Sequence, residues 1–236
     1  MRMGAQEAAR AFLQDHFPDC LAALLAGSVV RGEATPTSDL DIVIFTEQDN
    51  APYRESFEAY GWLIEAFIYT PSTYGDFFAG DVKRRRPSLP FMCAEGLVLK
   101  DTSGLAQEVK EEAWVLLEKG PPPLSQKERD RTRYALTNLL DDFIGSRSYH
   151  EALFIAPELI NVTADFLLDE HDMWRGLGKW NLRRLRELDA ELCEVFVAAL
   201  ETFYKQEDRT LLVEFIEEVL ERHGGRLFSG YSAGKG

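Results

Sequence analysis

The first 120 residues alternate short apolar runs with segments of helical spacing. Apolar residues three and four apart predict helices, whereas short runs rich in β-branched and aromatic residues predict strands. The predicted strands cover residues 20–26, 40–45, 62–69 and 97–99. The predicted helices cover residues 5–17, 52–60, 104–118 and a segment after Pro71. This order favours an α+β fold, a small mixed sheet with flanking helices.

The pattern changes at the sequence GPPPLS, residues 120–125. Three consecutive prolines cannot continue a helix, and they favour a stiff, extended connector. Beyond this connector the spacing of apolar residues is helical throughout. The predicted helices cover residues 126–145, 148–171, 180–205 and 208–222. We therefore expect an α+β domain over residues 1–120 and a C-terminal helical bundle over residues 126–228.

Two acidic residues interrupt the second predicted strand. Side chains alternate between the faces of a strand, so Asp39 and Asp41 share the face opposite the apolar residues of LDIVIF. Adjacent carboxylates repel each other, and a divalent cation such as Mg²⁺ or Mn²⁺ removes that repulsion. If the strand over residues 62–69 lies beside this one, Glu65 completes a cluster of three carboxylates. Such a cluster is typical of two-metal phosphoryl or nucleotidyl transfer.

The first predicted strand ends at Gly27-Ser28. Glycine lets the backbone approach a ligand closely. If Ser28 opens a short helix that ends near Gly32, its amide groups and its dipole face an anion, and Arg31 is within reach of a phosphate oxygen. A surface ion pair is an equally good interpretation of Arg31. The stretch predicts a site for a metal-bound polyphosphate.

The order Gly27-Ser28, ten residues, Asp39-Leu40-Asp41, with Glu65 in a later strand, resembles the signature of the DNA polymerase beta-like nucleotidyltransferase superfamily. The resemblance covers about the first 100 residues. The helical half resembles that of the antibiotic nucleotidyltransferases that act on aminoglycosides and lincosamides, and the stretches RYALTNLLDDF and GLGKW are similar to segments of bacterial members. The resemblance implies a nucleotide bound between the two halves, with an acceptor hydroxyl facing it.

Residue roles follow from the motif and its resemblance. The expected ligands of two Mg²⁺ ions, for which Mn²⁺ is an alternative, are Asp39, Asp41 and Glu65. The expected contacts to the nucleoside triphosphate are Gly27, Ser28, Arg31, Ser38 and Lys179. A carboxylate of the helical half is implied as general base, and we favour Asp141, which shares a helix stripe with Tyr134 and Thr137. A solvated helix face is the competing interpretation of Asp141, and Glu95 is a second candidate for the base.

Composition limits the partners. The net charge of −14 and the sequence pI near 4.8 disfavour general nucleic-acid binding and suit a cationic acceptor such as an aminocyclitol. The three cysteines are far apart, which indicates buried thiols in a reducing compartment. No signal peptide or membrane-length apolar run is visible, so we expect a cytoplasmic protein, a monomer or a homodimer.

The sequence thus predicts a nucleotidyltransferase. It would move a nucleoside monophosphate from a nucleoside triphosphate to a hydroxyl of a small acceptor, for example an aminoglycoside-like antibiotic in a resistance reaction, and release pyrophosphate. Two alternatives stay open: an enzyme that adenylylates proteins, as in toxin–antitoxin systems, and a non-catalytic nucleotide-binding module. A P-loop is excluded because Glu33 and Ala34 stand where Lys and Ser or Thr are required.

Overall fold

The computed structural model describes residues 2–234. The chain divides into two compact units, Met1–Gly120 and Pro121–Gly236. The first unit has a sheet with apolar clusters on both of its faces, and the second unit has its own helical core. The α+β fold class expected from the sequence is confirmed.

The first unit is built around a mixed sheet. Its strands are β1 (Ala22–Ala26), β2 (Leu40–Phe45), β3 (Tyr53–Ala59), β4 (Trp62–Tyr69) and β5 (Leu97–Asp101). Its helices are α1 (Ala5–His16), α2 (Tyr74–Lys83), α3 (Ser88–Glu95) and α4 (Leu105–Lys119). The strand order is β3-β4-β2-β1-β5, in which β2 and β4 are parallel and the other neighbours are antiparallel.

Both faces of the central strand β2 are buried. Ile42 and Ile44 pack in the cluster that includes apolar residues of α1, and Val43 and Phe45 pack in the opposite cluster with residues of α2, α3 and α4. All four side chains have no exposed surface. The expectation that one face of this strand is core is correct, and the helices on the other face bury that side as well.

The helix predicted over residues 52–60 is wrong, because this segment is strand β3. Its partly buried side chains include Tyr53, Phe57 and Ala59, at the two-residue spacing of a strand, and they pack in the cluster on the α1 face. Tyr60 and Gly61 have φ angles of 55° and 77° and link Ala59 to the start of β4. Positive φ at both central residues suits a two-residue hairpin turn, so the chain reverses there and β3 pairs with β4.

The second unit is helical. Its helices are α5 (Gln126–Gly145), α6 (Tyr149–Glu170), α7 (Lys179–Leu188), α8 (Ala190–Gln206) and α9 (Thr210–Arg222). The single helix predicted over residues 180–205 is wrong, because Asp189 separates α7 from α8. Asp189 has extended backbone angles of −158° and 110°, and its carboxylate accepts a hydrogen bond of 3.0 Å from the amide of Leu192. Asp189 is therefore the N-cap of α8.

Two further expectations concern membrane-spanning helices and the cysteines. Within residues 2–234, no helix combines the length and the apolarity that a membrane crossing requires. Cys20, Cys93 and Cys193 are buried and free, as the sequence predicted.

Candidate active site

Three carboxylates meet at one end of the sheet. Because β2 and β4 are parallel neighbours, Asp41 lies directly opposite Glu65 in the strand register, and Asp39 precedes β2 by one residue. One oxygen from each of these carboxylates lies within 4.8 Å of the other two, and all three residues are half-buried. The condition set by the sequence, that the Glu65 strand lies beside the Asp41 strand, is met.

The electrostatics of the cluster are unfavourable without a cation. The pKa of Asp41 is raised from its ordinary value of 3.8 to about 6. Burial is the largest cause, the charges of Asp39 and Glu65 act in the same direction, and Arg31 and Arg54 partly oppose the shift. A divalent cation coordinated by these oxygens would remove the repulsion. Three carboxylate donors are the ligand chemistry that Mg²⁺ and Mn²⁺ prefer, so the residues fit the metal that the sequence implied.

An arginine that the sequence analysis missed contacts the third acid. Arg54 of β3 donates through Nη2 to Oε1 of Glu65, and its guanidinium carbon lies 5.0 Å from the centroid of the Phe67 ring. Residue 54 was predicted to lie on a helix, so its position beside the Glu65 strand was not foreseen. Recognising the alternation of residues 53–59 as a strand would have placed Arg54 next to β4.

The loop after β1 approaches the cluster closely. Gly27 has a φ of 80°, and a Cβ at this position would press on the Asp41 carboxylate, 3.1 Å from its Cγ. Ser28 donates its hydroxyl to Oγ of Ser38 at 3.1 Å, and Oγ of Ser38 accepts the backbone amide of Thr35 at 2.8 Å. The fold therefore brings Gly27 against Asp41 and joins Ser28 to Ser38.

The short helix predicted to start at Ser28 is wrong, since residues 28–32 form turns. The amide of Glu33 donates to the carbonyl of Ser28 at 2.9 Å, and Gly32 has a φ of 73°. Val29 and Val30 are partly buried against the apolar cluster on the α1 face, which holds the loop in this conformation. A helix dipole therefore does not contribute to anion binding here.

Arg31 forms ion pairs within the first unit. Its Nη1 lies 3.0 Å from Oε2 of Glu95, and its Nε lies 3.4 Å from Oε2 of Glu33. The ion-pair interpretation of Arg31 thus describes its contacts. Its charge also acts on Asp41, whose pKa it lowers. Arg31 thus pairs with Glu95, the second candidate for the general base, and its charge acts on Asp41 of the carboxylate cluster.

Asp141 lies on α5 in the second unit, where Arg226 donates to its Oδ1. Arg226 also pairs with Glu217 of α9. The Asp141 side chain is 53% exposed, so it is not forced into the core. Asp141 could accept a proton from an acceptor only after its ion pair with Arg226 breaks.

The chain segment that contains Arg226 continues along the same stripe of α5. The amide of Leu227 donates to Oγ1 of Thr137 at 3.0 Å, and the Tyr231 ring stacks on Tyr134 with centroids 4.0 Å apart. The helix stripe that carries Tyr134, Thr137 and Asp141 is therefore contacted by residues 226–231. Lys179, the remaining expected nucleotide contact, is the exposed first residue of α7.

A family model matches part of the first unit. The family model described as Nucleotidyltransferase domain matches residues 7–71. A crystal structure of a nucleotidyltransferase-like protein from Exiguobacterium sibiricum 255-15 is similar to this chain, with 13% sequence identity, 93% of this chain and 75% of that chain covered, and a TM-score of 0.47. No curated protein sequence matches. The resemblance to nucleotidyltransferases is thus confirmed for residues 7–71, the segment that contains Gly27 and the three clustered carboxylates.

Proposed function

We propose that the protein is a metal-dependent nucleotidyltransferase that transfers a nucleoside monophosphate from a nucleoside triphosphate to a hydroxyl of a small acceptor and releases pyrophosphate. One observation carries the proposal: three carboxylates, from β2, β4 and the residue before β2, have oxygens within 4.8 Å of one another inside the segment that matches a nucleotidyltransferase domain. Residues 1–120 would form the catalytic domain, and residues 126–228 would bind the acceptor.

The carboxylates of Asp39, Asp41 and Glu65 would hold two Mg²⁺ ions, with Mn²⁺ as a substitute. When bound, such ions neutralise the triphosphate charge and lower the pKa of the attacking hydroxyl. Gly27 lets the loop backbone lie against the Asp41 carboxylate, because a Cβ at this position would clash with it; a triphosphate bound at this loop would therefore lie next to the metal ligands. The linked hydroxyls of Ser28 and Ser38 lie on the same loop and supply polar hydrogens for phosphate oxygens.

The positively charged contacts would have two different roles. Arg31 would stabilise negative charge at the cluster, since it already lowers the pKa of Asp41. Lys179, on the exposed end of α7, would contact the nucleotide. Proton removal from the acceptor hydroxyl would fall to Asp141 or to Glu95, and each of these carboxylates is now held by an arginine. Release of that arginine would then be part of acceptor binding.

The acceptor we favour is a small cationic molecule that bears hydroxyl groups, of the aminoglycoside kind. The net charge of −14 supports this choice, because an acidic surface attracts cations and repels nucleic acid. Transfer of AMP to a protein is the competing reaction. It would be recognised by an AMP adduct on a protein in mass spectrometry, with the small acceptors left unmodified.

The test combines binding with turnover. Calorimetry should detect MgATP binding by the wild type, and a pyrophosphate-release screen should pair nucleotides with aminoglycosides, lincosamides and sugars. Asp41→Asn serves as the blank, and Glu58→Gln, an exposed acid on β3 of the same sheet, is the matched control. We expect Asp41→Asn to lose both signals and Glu58→Gln to keep them. Nucleotide binding that survives in Asp41→Asn, with no pyrophosphate from either protein, would instead identify a non-catalytic binding module.

A further inference from the structure

The ion pair between Arg54 and Glu65 involves one of the two oxygens that Glu65 could offer to the proposed metal site. The guanidinium of Arg54 hydrogen-bonds to Oε1 of Glu65, and its positive charge opposes the approach of a metal ion to the same carboxylate. The two cations therefore compete for Glu65. Arg54 comes from β3, the strand at the edge of the sheet, and reaches across to β4.

Arg54 is placed to leave without disrupting the core. Its side chain is 56% exposed, whereas that of Glu65 is 27% exposed. Because more than half of the arginine side chain is exposed, it can turn toward solvent without unpacking the core, while Glu65 stays in the cluster. It would also give up its contact with the Phe67 ring, whose centroid lies 5.0 Å from the guanidinium carbon. Arg31, the other arginine whose charge acts on Asp41, pairs with Glu33 and Glu95.

The charge of Arg54 opposes the repulsion within the carboxylate cluster. The three carboxylates bring up to three negative charges within 4.8 Å of one another, and Arg54 supplies one positive charge beside Glu65. The charge of Arg54 also lowers the pKa of Asp41, so its effect extends from Glu65 to the neighbouring strand. A tethered cation of this kind stabilises the metal-free protein and weakens the binding of a free divalent ion.

We propose that Arg54 is a placeholder cation, a positioning residue that holds Glu65 until a divalent metal ion displaces it. The inference rests on the proposed function, because it assumes that the three carboxylates bind metal. Its consequence is that removal of the Arg54 charge tightens the binding of a divalent metal ion by the carboxylate cluster.

Mn²⁺ alone is the probe for this inference, since the electron paramagnetic resonance signal of free Mn²⁺ reports binding directly. The full chain is titrated at pH 7.5 as wild type, Arg54→Gln and Arg54→Lys. Lys83→Gln, which removes one positive charge from the exposed face of α2, is the control. We expect Arg54→Gln to bind Mn²⁺ about 2–5-fold more tightly, the range expected when an exposed ion pair no longer competes. Arg54→Lys should remain close to the wild type, as should the control.

Thermal unfolding separates a placeholder from a merely structural residue. In EDTA, Arg54→Gln should unfold at a lower temperature than the wild type, yet saturating Mn²⁺ should stabilise it more. A structural arginine would lower the stability and weaken Mn²⁺ binding together. If Arg54→Gln bound Mn²⁺ with the same affinity as the wild type, or more weakly, the inference about Arg54 would be overturned, but the proposed function would not. An absence of Mn²⁺ binding by the wild type, or binding that persists in Asp41→Asn, would instead overturn the proposed function.

Discussion

Substitution of Asp41 by Asn should stabilise the metal-free protein while it removes metal binding. The carboxyl of Asp41 is half-buried beside two other acids, and burial is the main reason that its pKa is raised to about 6. The ionised group therefore costs folding free energy at neutral pH. Asparagine has nearly the same shape and no charge, so it removes that cost.

The magnitude follows from the pKa. A rise from 3.8 to about 6 corresponds to about 3 kcal/mol at pH 7.5, at about 1.36 kcal/mol for each tenfold change. Water reaches part of the side chain and screens the charge, so we expect Asp41→Asn to raise the free energy of unfolding by about 1–3 kcal/mol at pH 7.5. Because the pKa in the folded protein lies above the unfolded value, the penalty is absent below about pH 4, grows as the pH rises toward 6, and is complete above it.

The assay is urea unfolding in EDTA at pH 4.5 and at pH 7.5, for the wild type, Asp41→Asn and Glu58→Gln. The difference between Asp41→Asn and the wild type should be below about 1 kcal/mol at pH 4.5 and largest at pH 7.5. Mg²⁺ should then stabilise the wild type and the Glu58 variant but not Asp41→Asn. A loss of stability in Asp41→Asn of similar size at both pH values would refute the reasoning, since it would show that the carboxylate is a structural group.

Two other substitutions test the loop and the helical unit. Gly27→Ala should destabilise the first unit by about 1–3 kcal/mol in urea unfolding, because Gly27 has a positive φ and a Cβ there would clash with Asp41. It should also weaken Mn²⁺ binding. The control, Gly75→Ala, adds a Cβ in open space on α2 and should be neutral or stabilising by about 0.5–1 kcal/mol. Arg226→Gln should cost about 1 kcal/mol or less, since the pair is exposed, and should raise kcat/KM for the acceptor by freeing Asp141. A fall in kcat/KM would argue against Asp141 as the base.

The three carboxylates could be predicted because their signal is local. Asp39 and Asp41 are fixed to one face by the two-residue period of a strand, and Glu65 interrupts an otherwise apolar run. The pairing of β2 with β4, which brings Glu65 opposite Asp41, then required one assumption about strand order. The parallel register of β2 and β4 confirms that assumption.

The elements that were predicted wrongly lie where the local residue pattern fits more than one secondary structure. Three of the seven residues of β3 are charged, namely Arg54, Glu55 and Glu58. The alternation of apolar and polar residues is therefore weak, and the same segment also fits the spacing of a helix. Asp189 falls within a continuous amphipathic pattern, and its role as a cap shows only when its backbone is extended. Arg54 could not be linked to Glu65 while residues 52–60 were assigned to a helix, because that contact exists only between the paired strands β3 and β4.

The burial of both sheet faces explains why the acids stay in register. A slip of β2 by one residue would turn Ile42 and Ile44 toward α2, α3 and α4, and it would move Asp41 into the cluster that Ile42 now fills. Burial of an unpaired carboxylate there would cost several kcal/mol. Val43 and Phe45 oppose the same slip from the other face. Two apolar clusters therefore fix the strand position that aligns Asp41 with Glu65, so the core of the first unit maintains the repulsive arrangement that a metal ion would relieve.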